Sequence, residues 1–216
     1  MSIERQIVLP WDQVLKISFN ALKARLFRSI ITTLTLTLAV AFVSYTWSGY
    51  RMLNALWPEA HPSLQERIIS SGYEMVGGVF GIGPKDKWLA MLSLMVCVVG
   101  IVNAQLMAVT ERFREIGTIK CLGALDSFVV RLFVVEAFYQ GLLGGLTGGL
   151  LGIAVSTASL TVKFGWIVLW TWPPLGMLFT IIWTSGLAVL LSLLGVTYPA
   201  LVAARMQPAA ALRAEE

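Results

Sequence analysis

The sequence predicts an all-α integral membrane protein with four transmembrane helices. Of its 216 residues, 57% are hydrophobic and only 13% are charged, and the mean hydropathy is +0.77. The apolar residues gather into four runs of about 20 residues or more, the length that a helix needs to cross the hydrocarbon core. A soluble domain of this size could not bury so much apolar surface, so the composition excludes an ordinary soluble fold.

The first part of the chain, residues 1–28, predicts an N-terminal amphipathic helix. After Pro10, apolar side chains recur at helical spacing with basic side chains between them. Such a helix suits the bilayer surface, where its basic residues lie near lipid phosphates. A simple extension of the first membrane helix is the alternative. No cleavage pattern follows the first apolar run, so we expect that span to remain as a permanent anchor.

Aromatic residues mark the ends of the predicted spans. Tyr45, Trp47 and Tyr50 close the first span and Trp88 opens the second, as is typical of the headgroup level. The third run is longer than the hydrocarbon core requires, so its helix must tilt, bend or project. The predicted segments are 1–28 (lead-in), 29–50 (first span), 51–87 (outer segment with a short helix and a turn), 88–109 (second span), 110–127 (charged segment), 128–162 (third span), 163–174 (aromatic loop), 175–202 (fourth span) and 203–216 (tail).

The basic residues predict how the chain is oriented. With the N-terminus in the cytoplasm, eleven Lys and Arg residues fall on the inner side and five on the outer side, in agreement with the positive-inside rule. Four spans return the C-terminus to the cytoplasm, so we expect a multi-pass protein of the cell's inner membrane with both termini inside. The inner residues are Arg5, Lys16, Lys23, Arg25, Arg28, Arg112, Arg114, Lys120, Arg131, Arg205 and Arg213.

The charged segment at 110–127 predicts a short cytoplasmic helix. Glu111 and Arg114 have opposite charges three residues apart, as do Arg112 and Glu115, so each pair can share one helix face. An apolar side could lie on the bilayer or dock into a partner's groove. That side consists of Ile116, Ile119 and Leu122. The alternative is an ordinary cytoplasmic loop, which is rich in charged residues because it is exposed to solvent.

The third span contains two interleaved series of glycines. Within each series the spacing is four residues, so two adjacent stripes of the helix have no side chains and another backbone can approach closely. The series are Gly141, Gly145 and Gly149, and Gly144, Gly148 and Gly152. Plain helix packing and a sliding or gating surface both fit this pattern.

Polar side chains within the spans are the other candidates for a function. A carboxylate in hydrocarbon is costly, so Glu136 should face a partner, a cavity or the interface. Pairing with a cytoplasmic basic residue is the preferred role, ahead of proton or substrate handling. Asn103 and Gln105, near the end of the second span, favour contacts between helices over a substrate site.

The sequence contains no pattern that predicts catalysis. A Walker-type phosphate loop, a nucleophile–base pair and a metal cluster are all missing from it. His61 is the only histidine and lacks metal-binding partners, and Cys97 and Cys121 are expected to be free thiols. The formal charge of +4 is dispersed and does not suggest nucleic acid. We expect a non-enzymatic chain without its own cofactor, so that any ATP that drives it is bound by another subunit.

Two separated motifs in the chain resemble a known family. The run ERFREIGTIKCLGA at 111–124, followed by Glu136 and the glycine-rich helix, resembles the FtsX-like permease domain of MacB-type (type VII) ABC transporters. The segment YPALVAARMQPAAALR at 198–213, which leads from the fourth span into the tail, is similar to the family's C-terminal signature. The family usually places a large folded domain between its first two spans, where this chain has only 51–87. Cys121 also departs from the family, which is expected to have a small apolar residue there.

The resemblance implies a dimer of permease chains, identical or paralogous, with two cytoplasmic ATPase subunits that hold ATP and Mg. The charged segment would be the coupling helix that contacts the ATPase, and movement would reach the extracytoplasmic side by mechanotransmission. The short outer segment favours a lipid-like or amphiphilic substrate in the membrane lipid, or a small extracytoplasmic partner. The candidate coupling residues are Glu111, Arg112, Arg114, Glu115, Ile116, Gly117, Lys120, Leu122 and Gly123.

Two other functions remain open at this point. One is a force-transmitting regulator that controls an extracytoplasmic enzyme or receptor and transports nothing. The other is a passive four-helix membrane scaffold. Co-purification with an ATPase would exclude the scaffold, and movement of an amphiphile across liposomes would separate transport from regulation.

Overall fold

The computed structural model describes residues 11–73, 75–121 and 126–205, so the first ten residues of the lead-in, residues 122–125 of the charged segment and most of the tail lie outside it. Its elements, in chain order, are α1 (Trp11–Leu56), a 3-10 turn (Trp57–Glu59), α2 (Pro62–Ser70), β1 (Met75–Val76), β2 (Val79–Phe80), α3 (Pro84–Glu111), α4 (Phe113–Cys121), α5 (Asp126–Phe164), α6 (Ile167–Trp170) and α7 (Pro174–Ala204).

Four helical stretches are long and apolar enough to cross a membrane. They are Ser29–Glu59, Pro84–Glu111, Val129–Phe164 and Pro174–Ala204. The all-α membrane fold with four spans is therefore confirmed. Proline occupies the first turn of α2, α3 and α7, where its missing N–H costs no hydrogen bond and its fixed φ suits a helix start.

The lead-in is not a separate surface helix in this structure. α1 runs without a break from Trp11 to Leu56, which is the simple extension that the sequence left as the alternative. The reason lies in the distribution of prolines: Pro10 and Pro58 flank the helix, and no proline interrupts it. Residues 11–28 of the lead-in and the first span therefore form one continuous helix.

Helix α5 lies between α1 and α7, and hydroxyl groups connect the three helices. Ser44 Oγ on α1 donates a hydrogen bond of 2.9 Å to the Gly149 carbonyl oxygen on α5. Ser192 Oγ on α7 donates one of 2.8 Å to the Ala137 carbonyl oxygen, also on α5. Both bonds are buried, where polar groups between membrane helices need such partners.

Helix α3 is the least buried of the four spans. Its Cys97 and Ile101 pack with α1 and α7 in an apolar cluster at the middle of the bundle. A Cβ at Gly195 on α7 would come within 2.7 Å of Ile101 Cγ2, so α3 packs closely against α7 at this glycine. Much of the remaining α3 surface exposes large apolar side chains to the surroundings.

The opposite end of the bundle from α4 is closed by a small cap. Gly77 and Gly78 have φ values of +67° and +85° and form the two-residue turn of the β1–β2 hairpin, at the place where the sequence predicts a turn. The Asn54 amide on α1 makes two hydrogen bonds with the backbone of Phe80. Its Nδ2 donates to the Phe80 carbonyl oxygen at 2.9 Å, and its Oδ1 accepts from the Phe80 N–H at 2.7 Å. The ring of Phe80 packs edge-on against Trp57, with centroids 5.2 Å apart.

Candidate functional site

Helix α4 follows α3 after a single turn residue. The Arg112 N–H donates a hydrogen bond of 3.1 Å to the Ala108 carbonyl oxygen, and the Ile116 N–H donates one of 2.9 Å to the Arg112 carbonyl oxygen. Backbone hydrogen bonding therefore continues through the change of direction. Ile116 is only 5% exposed and belongs to an apolar cluster built from α3, α4, α5 and α7. Of the predicted apolar side of α4, Ile116 thus packs on the bundle, while the side chain of Ile119 and residue Leu122 lie outside what the structure describes.

Lys120 fastens the far end of α4 to two membrane helices. Its Nζ lies 2.7 Å from Asp126 Oδ1, in the first turn of α5. The same Nζ donates a hydrogen bond to the carbonyl oxygen of Ala204, the last residue of α7. An acid at a helix start and a cation at a helix end both complement the helix dipole. The Lys120 side chain is only 8% exposed, whereas that of Asp126 is 68% exposed, so water reaches the acidic partner.

Glu136 on α5 forms an ion pair with Arg112. Arg112 Nη1 donates to Glu136 Oε2 at 3.0 Å, and the two side chains are 28% and 30% exposed. This pair joins the α3–α4 turn to the first third of α5. It also gives the carboxylate in the third span a counter-charge, which such a group requires.

A pair of buried amides lies beside the ion pair. Gln105 Nε2 on α3 donates to Gln140 Oε1 on α5 at 3.1 Å. Gln140 Nε2 in turn lies 3.5 Å from Ser29 Oγ on α1. Sequence reasoning assigned Gln105 to helix contacts and missed Gln140. The spacing held a signal, because Gln140 lies four residues after Glu136 and therefore on the same helix face.

The two glycine series of α5 face two different helices. A Cβ on Gly145 would come within 2.7 Å of Ser185 Cα on α7, whereas one on Gly152 would come within 2.5 Å of the Ala41 carbonyl oxygen on α1. The other glycines follow the same division: Gly141 and Gly149 meet α7, and Gly144 and Gly148 meet α1. Each stripe is therefore in close contact with the backbone or side chains of one neighbour.

The predicted coupling residues fall into three groups. Arg112, Ile116, Gly117 and Lys120 are turned toward the bundle or at least partly buried, while Glu111 is exposed. The side chains of Arg114 and Glu115, together with Leu122 and Gly123, lie outside what the structure describes. Ile116 thus packs α4 against the membrane helices. The prediction that it offers an apolar contact to a partner is wrong for this residue.

An apolar cleft opens between α1 and α3 near the cap. Its volume is ≈ 540 Å³, and its walls include Trp47, Met91 and Leu94. Asp86 and Lys87, at the start of α3, also line it. Asp86 accepts a hydrogen bond of 2.5 Å from the Tyr50 hydroxyl, and Lys87 is exposed. The cleft therefore combines an apolar interior with charged groups at one end.

Metal ligands are not gathered anywhere in the part of the chain that the structure describes. Within residues 11–73, 75–121 and 126–205, no three His, Cys, Asp or Glu side chains lie close enough together to hold an ion. Cys97 is buried and Cys121 is exposed, and both are free.

Comparison with known proteins gives one family and several named relatives. Residues 88–208 match the family described as FtsX-like permease C-terminal. The chain is 35% identical over 134 residues to the uncharacterized ABC transporter permease MJ1507 of Methanocaldococcus jannaschii, a match that covers 59% of this chain and 32% of that protein.

Two relatives are macrolide export ATP-binding/permease proteins named MacB. The one from Wolinella succinogenes is 36% identical over 127 residues, which is 59% of this chain and 18% of that protein. The one from Nitrosomonas europaea is 26% identical over 208 residues, which is 95% of this chain and 30% of that protein. In all three comparisons the chain spans about a third or less of the relative's length.

Proposed function

The chain belongs to the FtsX-like permease family of ABC transporters, and we propose that it couples ATP hydrolysis in a separate cytoplasmic ATPase to the export or extraction of an amphiphilic molecule. The observation that carries this proposal is the attachment of α4. Arg112 ties its start to α5, and Lys120 ties its end to both α5 and α7. A subunit that moves α4 would therefore move the membrane helices with it.

The packing of α5 supports transmission over the length of the bundle. Close glycine contacts hold α5 against α1 on one side and α7 on the other. Closely packed interiors pass a displacement on because they leave little empty volume to absorb it. Helix α1 continues to Leu56, and its Asn54 binds the hairpin of the cap. A displacement of α4 would therefore pass through α5 and α1 to the cap. This is the mechanotransmission that we propose.

The assembly that we propose contains two permease chains, identical or paralogous, and ATPase subunits that supply the ATP and Mg sites. The permease lies in the inner membrane, with both termini and α4 in the cytoplasm, because that orientation places eleven of sixteen Lys and Arg residues inside. The cap then faces the extracytoplasmic side, where it could meet a small partner.

The apolar cleft supports an amphiphile as the substrate. An apolar wall built from residues such as Leu94 and Met95 suits an acyl chain, while Lys87 at the end of the cleft suits an anionic headgroup. The cleft is open to the surroundings of α3, so a lipid-like molecule can enter it from the membrane without crossing water.

Reversal of a charge on α4 tests the coupling step. In liposomes that contain the permease and the ATPase that co-purifies with it, Glu115→Lys should lower permease-stimulated ATP hydrolysis by about tenfold, because charge complementarity governs such contacts. Lys85→Glu, an exposed charge reversal at the cap end, is the matched control and should hydrolyse ATP normally. Normal stimulation by Glu115→Lys would refute the assignment of α4.

Filling the cleft tests the substrate proposal. Leu94→Trp should reduce ATP-dependent movement of a fluorescent lysophospholipid between leaflets, while ATP hydrolysis continues. Met107→Trp, at an exposed position of the same helix outside the cleft, is the control. If the wild-type complex changes shape with ATP but moves no amphiphile, the chain is a force-transmitting regulator.

A further inference from the structure

A polar cavity lies at the α4 end of the bundle, where α1, α3 and α5 meet. Its volume is ≈ 40 Å³, and a water molecule needs about 10–15 Å³ of such space, so about three waters fit. The polar residues that line it are Ser29, Thr32, Gln105, Glu111, Arg112, Glu136 and Gln140. The cavity thus lies between the ion pair and the amide pair, inside the apolar spans.

One atom in the cavity wall requires a partner that the described side chains do not supply. Gln105 is only 3% exposed, and its Nε2 is bound to Gln140. Its Oε1 is buried, and no hydrogen-bond donor reaches it from the described part of the chain. A buried amide oxygen without a donor is unfavourable, and native proteins commonly satisfy such atoms with internal water.

We propose that this cavity is a water-binding site within the membrane bundle. Ordered water donates to Gln105 Oε1 and links the Gln105–Gln140 amides to the Arg112–Glu136 ion pair. Water fits because the wall offers both donors and acceptors within a space of the right size.

Hydration gives α3 a different kind of contact from the other spans. Where α5 meets α1 and α7, glycines bring the helices into close contact. Where α3 meets α5 near α4, an ion pair, an amide pair and the proposed water lie beside the apolar cluster that contains Ile116. The site therefore places a hydrated polar contact, and not a glycine contact, between α3 and α5. The presence of water itself does not depend on the proposed transport function.

Cysteine accessibility in the full-length permease tests this inference without an ATPase. In a Cys97→Ala/Cys121→Ser background in phospholipid nanodiscs, Ala108→Cys places a thiol in the cavity wall. A thiol reacts as the thiolate, which forms only where water reaches it, so charged methanethiosulfonate should modify this position at least about tenfold faster than the controls. The controls are Ala137→Cys, in the apolar core, and Met107→Cys, on the exposed apolar face one residue away.

Two outcomes would overturn the proposal. One is equal modification of Cys at positions 108 and 137, since a dry cavity would protect both. The other is an unchanged rate at position 108 after Gln105→Leu, which removes the amide that we assign as the anchor of the water. Ala104→Cys, at a second position in the cavity wall, provides the same readout if the Ala108 variant does not fold.

Discussion

Glu136 is the residue whose position most needs a physical explanation, because it places a carboxylate within an apolar span. The explanation is the counter-charge of Arg112, whose Nη1 lies 3.0 Å from Glu136 Oε2. The sequence marked both residues as candidates but not as a pair, since they are separated by 24 positions and Arg112 also has an acid three residues away. Local spacing could predict only the contacts along one helix, whereas this contact depends on how α3 turns into α4.

Removal of one partner of the ion pair should cost more than removal of both. Arg112→Ala leaves Glu136 without its counter-charge and should lower the free energy of unfolding by about 1–3 kcal/mol. Arg112→Ala/Glu136→Gln should recover most of that loss, because no unpaired charge remains. Reversible unfolding in detergent micelles measures both values. Arg131→Ala, at an exposed arginine of α5, is the control, and equal losses in the single and double variants would contradict the ion-pair account.

At the scale of elements, the glycines of α5 decide how closely three helices approach. The four-residue spacing predicted close contact but could not say which neighbours were involved. The structure assigns one stripe to α7 and the other to α1. That division follows from the position of α5 between the two, which depends on tertiary packing.

Replacement of a glycine in these stripes by alanine should therefore lower the stability of the bundle. Gly152→Ala would place a Cβ within 2.5 Å of both the Ala41 carbonyl oxygen and the Ser44 Cβ, so α1 must move. We expect about 1–3 kcal/mol of lost stability, the usual cost of overpacking. Gly186→Ala, where a Cβ has nothing within 4 Å, should be neutral or slightly stabilising. Thermal unfolding in nanodiscs checks the pair, and similar melting temperatures for the two variants would refute the prediction.

The attachment of α4 makes a prediction about local opening. Lys120→Met removes the contact with Asp126 and the bond to the Ala204 carbonyl, so amide hydrogen exchange in α4 should accelerate by about tenfold as that helix opens more easily. Lys85→Met, at the other end of the bundle, should leave α4 exchange unchanged. If α4 exchanges equally in both variants, Lys120 does not hold it.

Element boundaries show where sequence reasoning stops. Hydropathy located each span, but it could not reveal that α1 extends from Trp11 to Leu56, because a helix continues past the membrane wherever nothing interrupts it. The short hairpin was anticipated only as a turn. Two Gly residues indicated the chain reversal, whereas the pairing of β1 and β2 depends on support from Asn54 and Trp57.

For the whole molecule, composition was sufficient to predict the fold class. Four apolar runs in a chain of this length permit few arrangements, and the structure has four matching helices. The order of packing was not predictable, because apolar faces that meet lipid and those that meet another helix have similar composition. The family assignment rests on residues 88–208, which match the FtsX-like permease family.

The central claim is that α4 lies on the cytoplasmic side and contacts an ATPase. Cys121 is exposed at the end of α4, while Cys97 is buried. A short photo-crosslinker attached to Cys121 in the assembled complex should capture the ATPase, and Cys121→Ser should abolish the product. The same probe at position 163, after Lys163→Cys in the Cys121→Ser background, should capture no ATPase. An ATPase adduct from position 163, with none from Cys121, would contradict the account.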